Sequence, residues 1–435
     1  MVGTLAISIA SCLLMASSAI FFPNVNFKGH HFPLYCLFPL LGAVVLLASG
    51  LVNANHLVEL FTSNSPVNPL QILLLFFSMV FVSTMLDEEG FFAYLAKKAL
   101  SHSGSSQYGL FTLLFAFVSI LTIFTSNDII VLTFTPFLIL FCRRAKIDPI
   151  PYLLCEFIAA NTFSAFLPVG NPTNIFLTQS LQISWADYLM AMSLPSLASG
   201  LVAYLVLLLL FSKKLKKKLE VKEEDDACIE DKVSLTVCIA ALALCILSCA
   251  LSSFLPLPSY LCCFIVAIAL LAFSLIKGGI AHSVRKPLSA LSRLPYSLLP
   301  LLLGMFVIVF SLKEEGITEA IGRFLSGEYG IWSYGATSLL AANLTNNIPM
   351  SVLYEEIFLS VPYDAFEVYA VILSSNLAAY LTPFGALAGL IFISKCHSEE
   401  VPLTFSKFCL YGIITAIPCL IAGLGVLQIE SLLMR

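Results

Sequence analysis

Polar residues of the kind that bind small solutes interrupt four otherwise apolar stretches of the chain, and they form two matching pairs. Their amide and hydroxyl groups can both donate and accept hydrogen bonds. We therefore take them as candidate substrate-binding residues. They are Ser126, Asn127, Asn161, Gly170, Asn171, Thr345, Asn346, Asn347, Asn376, Thr382 and Gly385.

Prolines and glycines mark where these stretches stop being helical. Pro168, Gly170 and Pro172 interrupt one stretch, and Pro383 with Gly385 interrupts its counterpart. These residue types continue an α-helix only at a loss of stability. The freed carbonyls can bind cations, and half-helix N-termini can bind anions or polar oxygens. Irregular backbone at membrane depth persists only where it lines protein or a water-filled cavity. We therefore expect the four interruptions to meet near the membrane centre.

Two carboxylates accompany these segments. Asp128 follows Asn127 directly, and Glu156 lies five residues before Asn161. Ionisable groups inside a membrane are costly and usually functional. We expect Asp128 to couple transport to a proton or cation. Glu156 is the second candidate for this role, with a solvated position near the cytoplasmic interface as the alternative.

The two hairpin tips and the two helix breaks that carry the candidate residues contain no Lys, Arg or Cys. A multiply charged anion would therefore find no cationic clamp. The substrate is either neutral or weakly charged, or its charge is balanced by helix dipoles and co-transported cations. A thiophilic solute would be held by oxygen and amide contacts. The sequence predicts no metal site and no cofactor, and no nucleophile–base pair, His–Glu cluster or phosphate loop supports a membrane enzyme or receptor, the third class considered.

The elements that position these residues are membrane helices. Of the 435 residues, 59% are apolar and 11% charged, whereas a soluble domain has roughly 25% charged residues. Backbone polar groups in lipid must be paired within the segment, so the apolar runs are helices. We predict an all-α polytopic membrane protein with ten spanning helices and two re-entrant hairpins, at 107–144 and 332–358. The spans lie near 3–22, 33–53, 70–86, 152–180, 187–211, 233–254, 258–276, 294–312, 366–394 and 403–428.

The two halves of the chain resemble each other. Met79–Gly90 resembles Met305–Gly316, and the polar segments follow in the same order in both halves. An internal duplication is the simplest explanation, and transporters commonly contain one. The first repeat is 1–212 with a broken helix at 152–180, a charged cytoplasmic linker is 213–232, and the second repeat is 233–435 with a broken helix at 366–394.

The distribution of positive charge sets the orientation. With the linker inside, all of the 22 Lys and Arg residues except Lys313, Arg323 and Arg435 lie on the cytoplasmic side, as the positive-inside rule requires. The two hairpins then enter from opposite sides. The repeats are therefore inverted, as alternating access requires. We expect a multi-pass protein of the cytoplasmic (inner) membrane with a lipid bilayer as its environment and no nucleic-acid partner.

Four motifs carry a resemblance to a known family. They are Leu86–Phe92 (LDEEGFF), Ser126–Asp128 (SND), Thr345–Pro349 (TNNIP) and Leu381–Ala388 (LTPFGALA). Over nearly its whole length the chain resembles the ion transporter superfamily, most closely its arsenite permease (ArsB-type) branch. The resemblance implies an elevator-type carrier that extrudes arsenite or antimonite, driven by protons or membrane potential. It also raises a homodimer and a soluble ATPase as partners.

The resemblance also assigns roles to individual residues. It maps the hairpin motifs onto Ser126, Asn127, Asp128, Thr345, Asn346 and Asn347, and the broken-helix contacts onto Asn161, Gly170, Asn171, Asn376, Thr382 and Gly385. Two features depart from the branch. Asn161 stands where arsenite permeases tend to have an acid, and Gly170–Asn174 (GNPTN) is closer to anion and carboxylate permeases. The alternative is a sodium- or proton-coupled transporter of a di- or tricarboxylate or inorganic anion, or a sodium/proton antiporter.

Overall fold

The computed structural model describes most of the chain, and all structural statements refer to the described ranges. These are residues 1–21, 25–27, 30–32, 34–62, 68–92, 94, 106–216, 231–251, 257–280, 283–296 and 298–434. The predicted charged linker at 213–232 falls mainly on 217–230, outside these ranges.

The described chain is almost entirely helical. Its helices are α1 Val2–Phe21, α2 Leu37–Ala48, α3 Ala54–Thr62, α4 Pro69–Glu88, α5 Gln107–Phe124, α6 Asn127–Arg144, α7 Ile150–Phe163, α8 Pro172–Ser180, α9 Trp185–Phe211, α10 Lys232–Ala250, α11 Ser259–Ile280, α12 Arg285–Ser292, α13 Leu298–Glu314, α14 Ile317–Leu325, α15 Gly330–Thr345, α16 Asn347–Ser360, α17 Ala365–Ala378, α18 Leu387–Ser398 and α19 Phe405–Met434. Single 3-10 turns occur at Leu34–Cys36, Pro168–Gly170 and Pro383–Gly385.

The structure departs from the prediction in three places. A short antiparallel pair of strands, β1 Val25–Phe27 and β2 His30–Phe32, precedes α2. As a result, the helix within the predicted span 33–53 covers only Leu37–Ala48. The short helices α3, α12 and α14 were not predicted, because each is too brief and too polar to stand out in a search for apolar runs.

The number of spans remains a prediction. Within the described ranges, six helices are long and apolar enough to cross a membrane: α4, α5, α9, α10, α11 and α19. Helix α5 is among them, although the sequence predicts it as one limb of a hairpin. The other predicted spans correspond to shorter helices or to the broken pairs α7–α8 and α17–α18. Length and composition thus establish a multi-pass architecture and not its exact topology.

The two halves have the same order of elements, and their contacts are exchanged between halves. Helix α2 packs on α13 and α4 packs on α11, while α6 packs on α18 and α16 packs on α8. Helix α9 packs on its own counterpart, α19. Helices α2 and α13 contact each other, and so do their copies in the other half, α11 and α4. A two-fold relation between the halves produces this exchange. This packing brings both broken helices and both hairpins to the centre of the molecule.

Ion pairs join the end of α4 to α12. Arg293 pairs with both Asp87 and Glu88, and Lys286 pairs with Glu89. A second ionic contact lies at the start of α10, where the Lys277 ammonium donates a hydrogen bond to Asp231 and holds the pKa of that carboxyl well below its usual range. These contacts join α4 to α12 and α10 to α11 at their polar ends.

Arg293→Met is expected to lower the melting temperature in detergent more than Arg323→Met does. Arg293 is 28% exposed and serves two carboxylates, of which Asp87 is only 10% exposed. Its loss should cost about 1–3 kcal/mol, because charged hydrogen-bond partners are left behind. Arg323 pairs with Glu319 on an exposed helix surface, where such pairs contribute about 0.3–0.5 kcal/mol. Equal melting shifts for the two variants would contradict this assignment.

Candidate functional site

The tip of the first hairpin contacts the first broken helix through paired amides. Helix α5 ends at Phe124, Ser126 precedes α6, and Asn127 is its first residue. Asn127 is 1% exposed, and its Nδ2 donates to Oδ1 of Asn161 at 2.8 Å. Asn161 in turn donates to the carbonyl of Phe157. The hairpin tip is therefore fixed to α7 by a buried amide chain.

A second contact joins the hairpin to the broken helix at the hairpin base. There, Tyr152 Oη donates to Gln107 Oε1 at 2.9 Å, while at the tip Asn127 meets Asn161. The hairpin is therefore fixed to α7 at both its base and its tip.

The break between α7 and α8 closes tightly on itself. A Cβ at Gly170 would lie 2.3 Å from the carbonyl oxygen of Ser164, so only glycine fits there. Asn171 caps α8 by accepting from the backbone N–H of Thr173 at 3.1 Å. Asn174 donates back to the Ser164 carbonyl at 2.7 Å. The freed backbone groups are thus satisfied by side chains of the break, in keeping with the behaviour of buried polar backbone.

Asn376 on α17 joins the two halves of the molecule. Its Oδ1 accepts from Ser164 Oγ at 2.6 Å and from Asn171 Nδ2 at 2.8 Å. Its Nδ2 donates to Asn174 Oδ1 at 2.8 Å and to the Ile372 carbonyl. Asn376 is fully buried. It is the centre of a hydrogen-bonded network, which we call the amide network: Asn127, Asn161, Ser164, Asn171, Asn174, Asn347 and Asn376.

The second hairpin tip reaches the same network. Asn347, the first residue of α16, donates to Asn171 Oδ1 at 3.5 Å. Asn346 has φ +75° and ψ 153°, a region costing of order 1–3 kcal/mol for a residue other than glycine. Its side chain accepts from the N–H of Ile348 and donates to the carbonyl of Phe384. Asn127 and Asn347 are the first residues of α6 and α16, so they occupy corresponding positions in the two halves. Aligning the motifs Ser126–Asp128 and Thr345–Asn347 would instead match Asn127 with Asn346, one residue away.

The second break repeats the construction of the first. A Cβ at Gly385 would lie 2.1 Å from the carbonyl oxygen of Ala378. Thr382 Oγ1 donates to Asn343 Oδ1 at 2.6 Å, and Asn343 donates to the Ala378 carbonyl. The Thr345 hydroxyl instead bonds to the backbone next to it. Of the eleven candidates, Thr382, Asn346 and Gly385 thus form a neighbouring cluster, and Thr345 makes no side-chain contact with the amide network.

A small cleft opens beside the first hairpin tip. Its lining includes Ser83, Ser126 and Pro172 among mainly apolar side chains. The Ser126 hydroxyl is buried and has no hydrogen-bond partner within the described residues, and the same holds for Thr173 Oγ1 and Asn347 Oδ1. Buried polar atoms without partners are rare and call for an explanation. Of the three, Ser126 belongs to the lining of the cleft.

The structure places the two candidate acids differently. Asp128 is half-buried at the tip, where its carboxylate accepts from the backbone N–H of Ala388. Ala388 lies in the first turn of α18, so the carboxylate faces the positive end of a helix dipole. Glu156 is fully buried between α7 and α6, where Thr135 donates to its Oε2 at 3.2 Å and Oε1 has no partner among the described residues. The alternative of a solvated Glu156 does not hold in this conformation.

The sequence analysis missed three residues of the site: Ser164, Asn174 and Asn343. Asn174 stood inside the quoted GNPTN segment, and Asn343 lies three residues before Asn346, so both could have been included as amides near a break. Ser164 has no distinguishing signal in the sequence. In the described ranges, no three His, Cys, Asp or Glu side chains converge as ligands for a metal ion.

The chain is similar to several known membrane proteins. The arsenical pump membrane protein of Escherichia coli K12 is 25% identical over 409 residues, covering 90% of this chain and 92% of that protein. An uncharacterized transporter of Mycobacterium tuberculosis is 24% identical over 88% of this chain and 90% of its own length. The crystal structure of the Alcanivorax borkumensis YdaH transporter covers 99% of this chain and 98% of its own, with a TM-score of 0.54 and 14% identity.

The YdaH likeness confirms the helical transporter fold. The relatives confirm the resemblance to the ion transporter superfamily and its arsenical pump branch. The family of citrate transporters (CitMHS) matches residues 36–368, which is most of the sequence. The chain therefore belongs to the citrate transporter family and is a multi-pass membrane transporter.

Proposed function

We propose that this protein extrudes arsenite or antimonite across the cytoplasmic membrane by elevator-type alternating access. The observation that carries the proposal is the amide network, which joins both halves through neutral donors and acceptors. The two hairpin turns and the two breaks contain no Lys, Arg or His. Arsenous acid is uncharged at neutral pH and carries three hydroxyl groups. Asn and Ser side chains can match these with both donors and acceptors.

Three further observations support the proposal. Relatives that align over about 90% of this chain are named arsenical pumps. The exchanged packing between halves, with α6 on α18 and α16 on α8, is what two inverted repeats would produce. The irregular backbone between α5 and α6 lies against α7, where Asn127 bonds to Asn161. Irregular backbone within a membrane requires a protein-lined or water-lined surrounding.

A second candidate is the sodium- or proton-coupled transport of a di- or tricarboxylate or an inorganic anion. The match to the citrate transporter family over residues 36–368 favours it. In this case the N-termini of α8 and α18, which begin at the two breaks, would supply positive dipole ends to the anion. A sodium/proton antiporter is a variant of this candidate in which Asp128 is the exchanging acid.

Transport by everted membrane vesicles separates the candidates. The gene is expressed in an arsenite-sensitive host, and vesicles are supplied with arsenite, antimonite, citrate, succinate or sulfate under a proton or a sodium gradient. We expect accumulation of arsenite and antimonite with an imposed proton gradient, and raised resistance of the host. Accumulation of a carboxylate or sulfate without arsenite would reject the leading candidate in favour of the second. Native mass spectrometry of the purified protein tests the homodimer and the ATPase partner that the resemblance implies.

Asp128→Asn is expected to abolish pH-dependent transport. The substitution preserves the shape of the side chain but removes the group at the N-terminus of α18 that could take up a proton or bind a cation. The initial rate is measured over a range of pH and compared with that of Glu59→Gln, which neutralises an exposed acid. An Asp128→Asn variant that retains wild-type transport and its pH profile would remove Asp128 from coupling.

A further inference from the structure

Helix α16 carries a buried acid that the proposed mechanism does not use. Glu355 is 0% exposed, and neither of its carboxylate oxygens has a hydrogen-bond partner among the described residues. An isolated buried carboxylate is strongly disfavoured, and burial of a charge is tolerated only when the charge is paired and hydrogen-bonded. Glu355 therefore needs an explanation of its own.

The charged groups around Glu355 do not provide a dedicated counter-ion. The charges that act on it most are Glu356 and Lys313. These two pair with each other at 2.8 Å, Glu356 being buried and Lys313 42% exposed at the end of α13. Lys313 is therefore already neutralised by Glu356. The pair leads from Glu355 towards the surface at the base of the second hairpin.

Other titratable groups on the elements that pack against α16 have roles of their own. Glu314 on α13 contacts His56, and Glu319 on α14 pairs with Arg323 at an exposed surface. Glu367 caps its own helix, α17. The remaining titratable side chains on these elements are the tyrosines Tyr334, Tyr354 and Tyr369. Helix α8 contributes no titratable residue.

The burial of Glu355 indicates which protonation state fits this conformation. Ser180, the last residue of α8, donates its single proton to the Phe176 carbonyl at 2.8 Å. Neither oxygen of Glu355 has a hydrogen-bond partner among the described residues. A buried carboxylate without hydrogen bonds is far more costly than the neutral acid, so the neutral acid fits.

We propose that Glu355 is a second proton-binding site of the transport cycle, besides Asp128 at the first hairpin tip. This inference rests on the proposed function and names the proton as the coupling ion. Glu355 lies eight residues beyond Asn347 on the same helix, about 12 Å from the hairpin tip at 1.5 Å per residue. Helix α8 connects it to the amide network, because α8 begins next to Asn171 and ends at Ser180. A shift of α16 relative to α13 changes the access of Glu355 to Lys313 and to water.

The proton balance is simple. In this conformation, Glu355 carries, as a neutral acid, a proton taken up from water on the side that Lys313 faces, which the charge distribution predicts to be the outside. After the shift, the acid releases the proton to water on the cytoplasmic side. The return shift brings the carboxylate back to the side that Lys313 faces, where it takes up the next proton. At Glu355, one proton therefore moves inward per cycle as solute moves outward, and no other reactant is needed.

Infrared spectroscopy of the purified protein tests the site without substrate. We expect deuterium-sensitive C=O stretches of protonated carboxyls at neutral pH. The component that belongs to Glu355 should be absent in Glu355→Gln and present in the exposed-acid control Glu319→Gln, and Glu156→Gln identifies any component from the other buried acid, Glu156. The melting temperature of Glu355→Gln should equal or exceed that of the wild type, because glutamine has the shape of the neutral acid. A spectrum in which Glu355→Gln leaves the band unchanged, or a clear fall in its melting temperature, would overturn the proposal.

Transport measurements then separate this inference from the proposed function. Glu355→Gln should lose accumulation driven by a proton gradient at least tenfold while retaining exchange of labelled for unlabelled solute, since exchange needs no net proton release. Glu355→Asp should restore part of the accumulation. If the wild type fails to carry arsenite but the infrared band depends on Glu355, the substrate assignment fails and the proton site stands. If Glu355→Gln accumulates solute as the wild type does, the proton site is rejected and the proposed function stands.

Discussion

Gly170→Ala and Gly385→Ala are each expected to reduce transport at least tenfold. The added methyl group would lie 2.3 Å from the Ser164 carbonyl oxygen in the first case and 2.1 Å from the Ala378 carbonyl oxygen in the second. Both neighbours are backbone atoms of the breaks, so no side-chain rotation relieves the overlap. Overpacking of this kind typically costs about 1–3 kcal/mol, occasionally more. Most of that range lies above the 1.36 kcal/mol that corresponds to a tenfold effect on a rate, so a distortion of this size at the site suffices for the expected loss.

Gly425→Ala is the matched control for these two variants. Gly425 lies inside α19, and a methyl group there would meet no heavy atom within 4 Å. Alanine is the better helix former by roughly 0.5–1 kcal/mol, so this variant should be at least as stable as the wild type and transport normally. The initial transport rate and the melting temperature are measured for all three glycine variants and compared with those of the wild type. Normal transport by Gly170→Ala and Gly385→Ala would show that the tight closure of the breaks is not needed.

The positions of the hairpins and breaks could be predicted from the sequence because their cause is local. Pro168 and Pro383 stop a helix wherever it lies, and Asn127 and Asn346 stand out against an apolar background. The repeat strengthened each assignment by supplying a second copy. The prediction that the interruptions meet depended on the general rule that irregular backbone avoids lipid.

What could not be predicted depends on which side chains face one another. Ser164 resembles any other serine of a membrane helix until α17 places Asn376 within 2.6 Å of it. Glu355 stands beside Glu356 in the sequence, and only the packing of α16 on α13 separates the paired acid from the unpaired one. The one-residue offset between Asn346 and Asn347 likewise follows from where α16 begins, which a sequence match does not fix.

Asn376→Leu is expected to abolish transport and to lower stability by about 2–6 kcal/mol, because it leaves two buried polar groups without partners at about 1–3 kcal/mol each. The substitution keeps the branched shape of the side chain but removes both its acceptor and its donor. Asn171 Nδ2 loses its acceptor and Asn174 Oδ1 loses its donor. Ser164 keeps a partner, since its hydroxyl also donates to the Asn161 carbonyl.

Asn376→Asp and Asn55→Leu complete this test, with transport and thermal unfolding measured for each variant. Asn376→Asp keeps the acceptor for Ser164 and Asn171 but sets an oxygen against Asn174 Oδ1, so it should lose transport while keeping more stability than the leucine variant. Asn55 is exposed at the start of α3, and its replacement by leucine should change neither quantity. If Asn376→Leu transports normally, the two halves do not meet in one solute site. If Asn376→Leu loses stability but Asn376→Asp keeps full transport, the amide of Asn376 holds the fold together and does not bind solute.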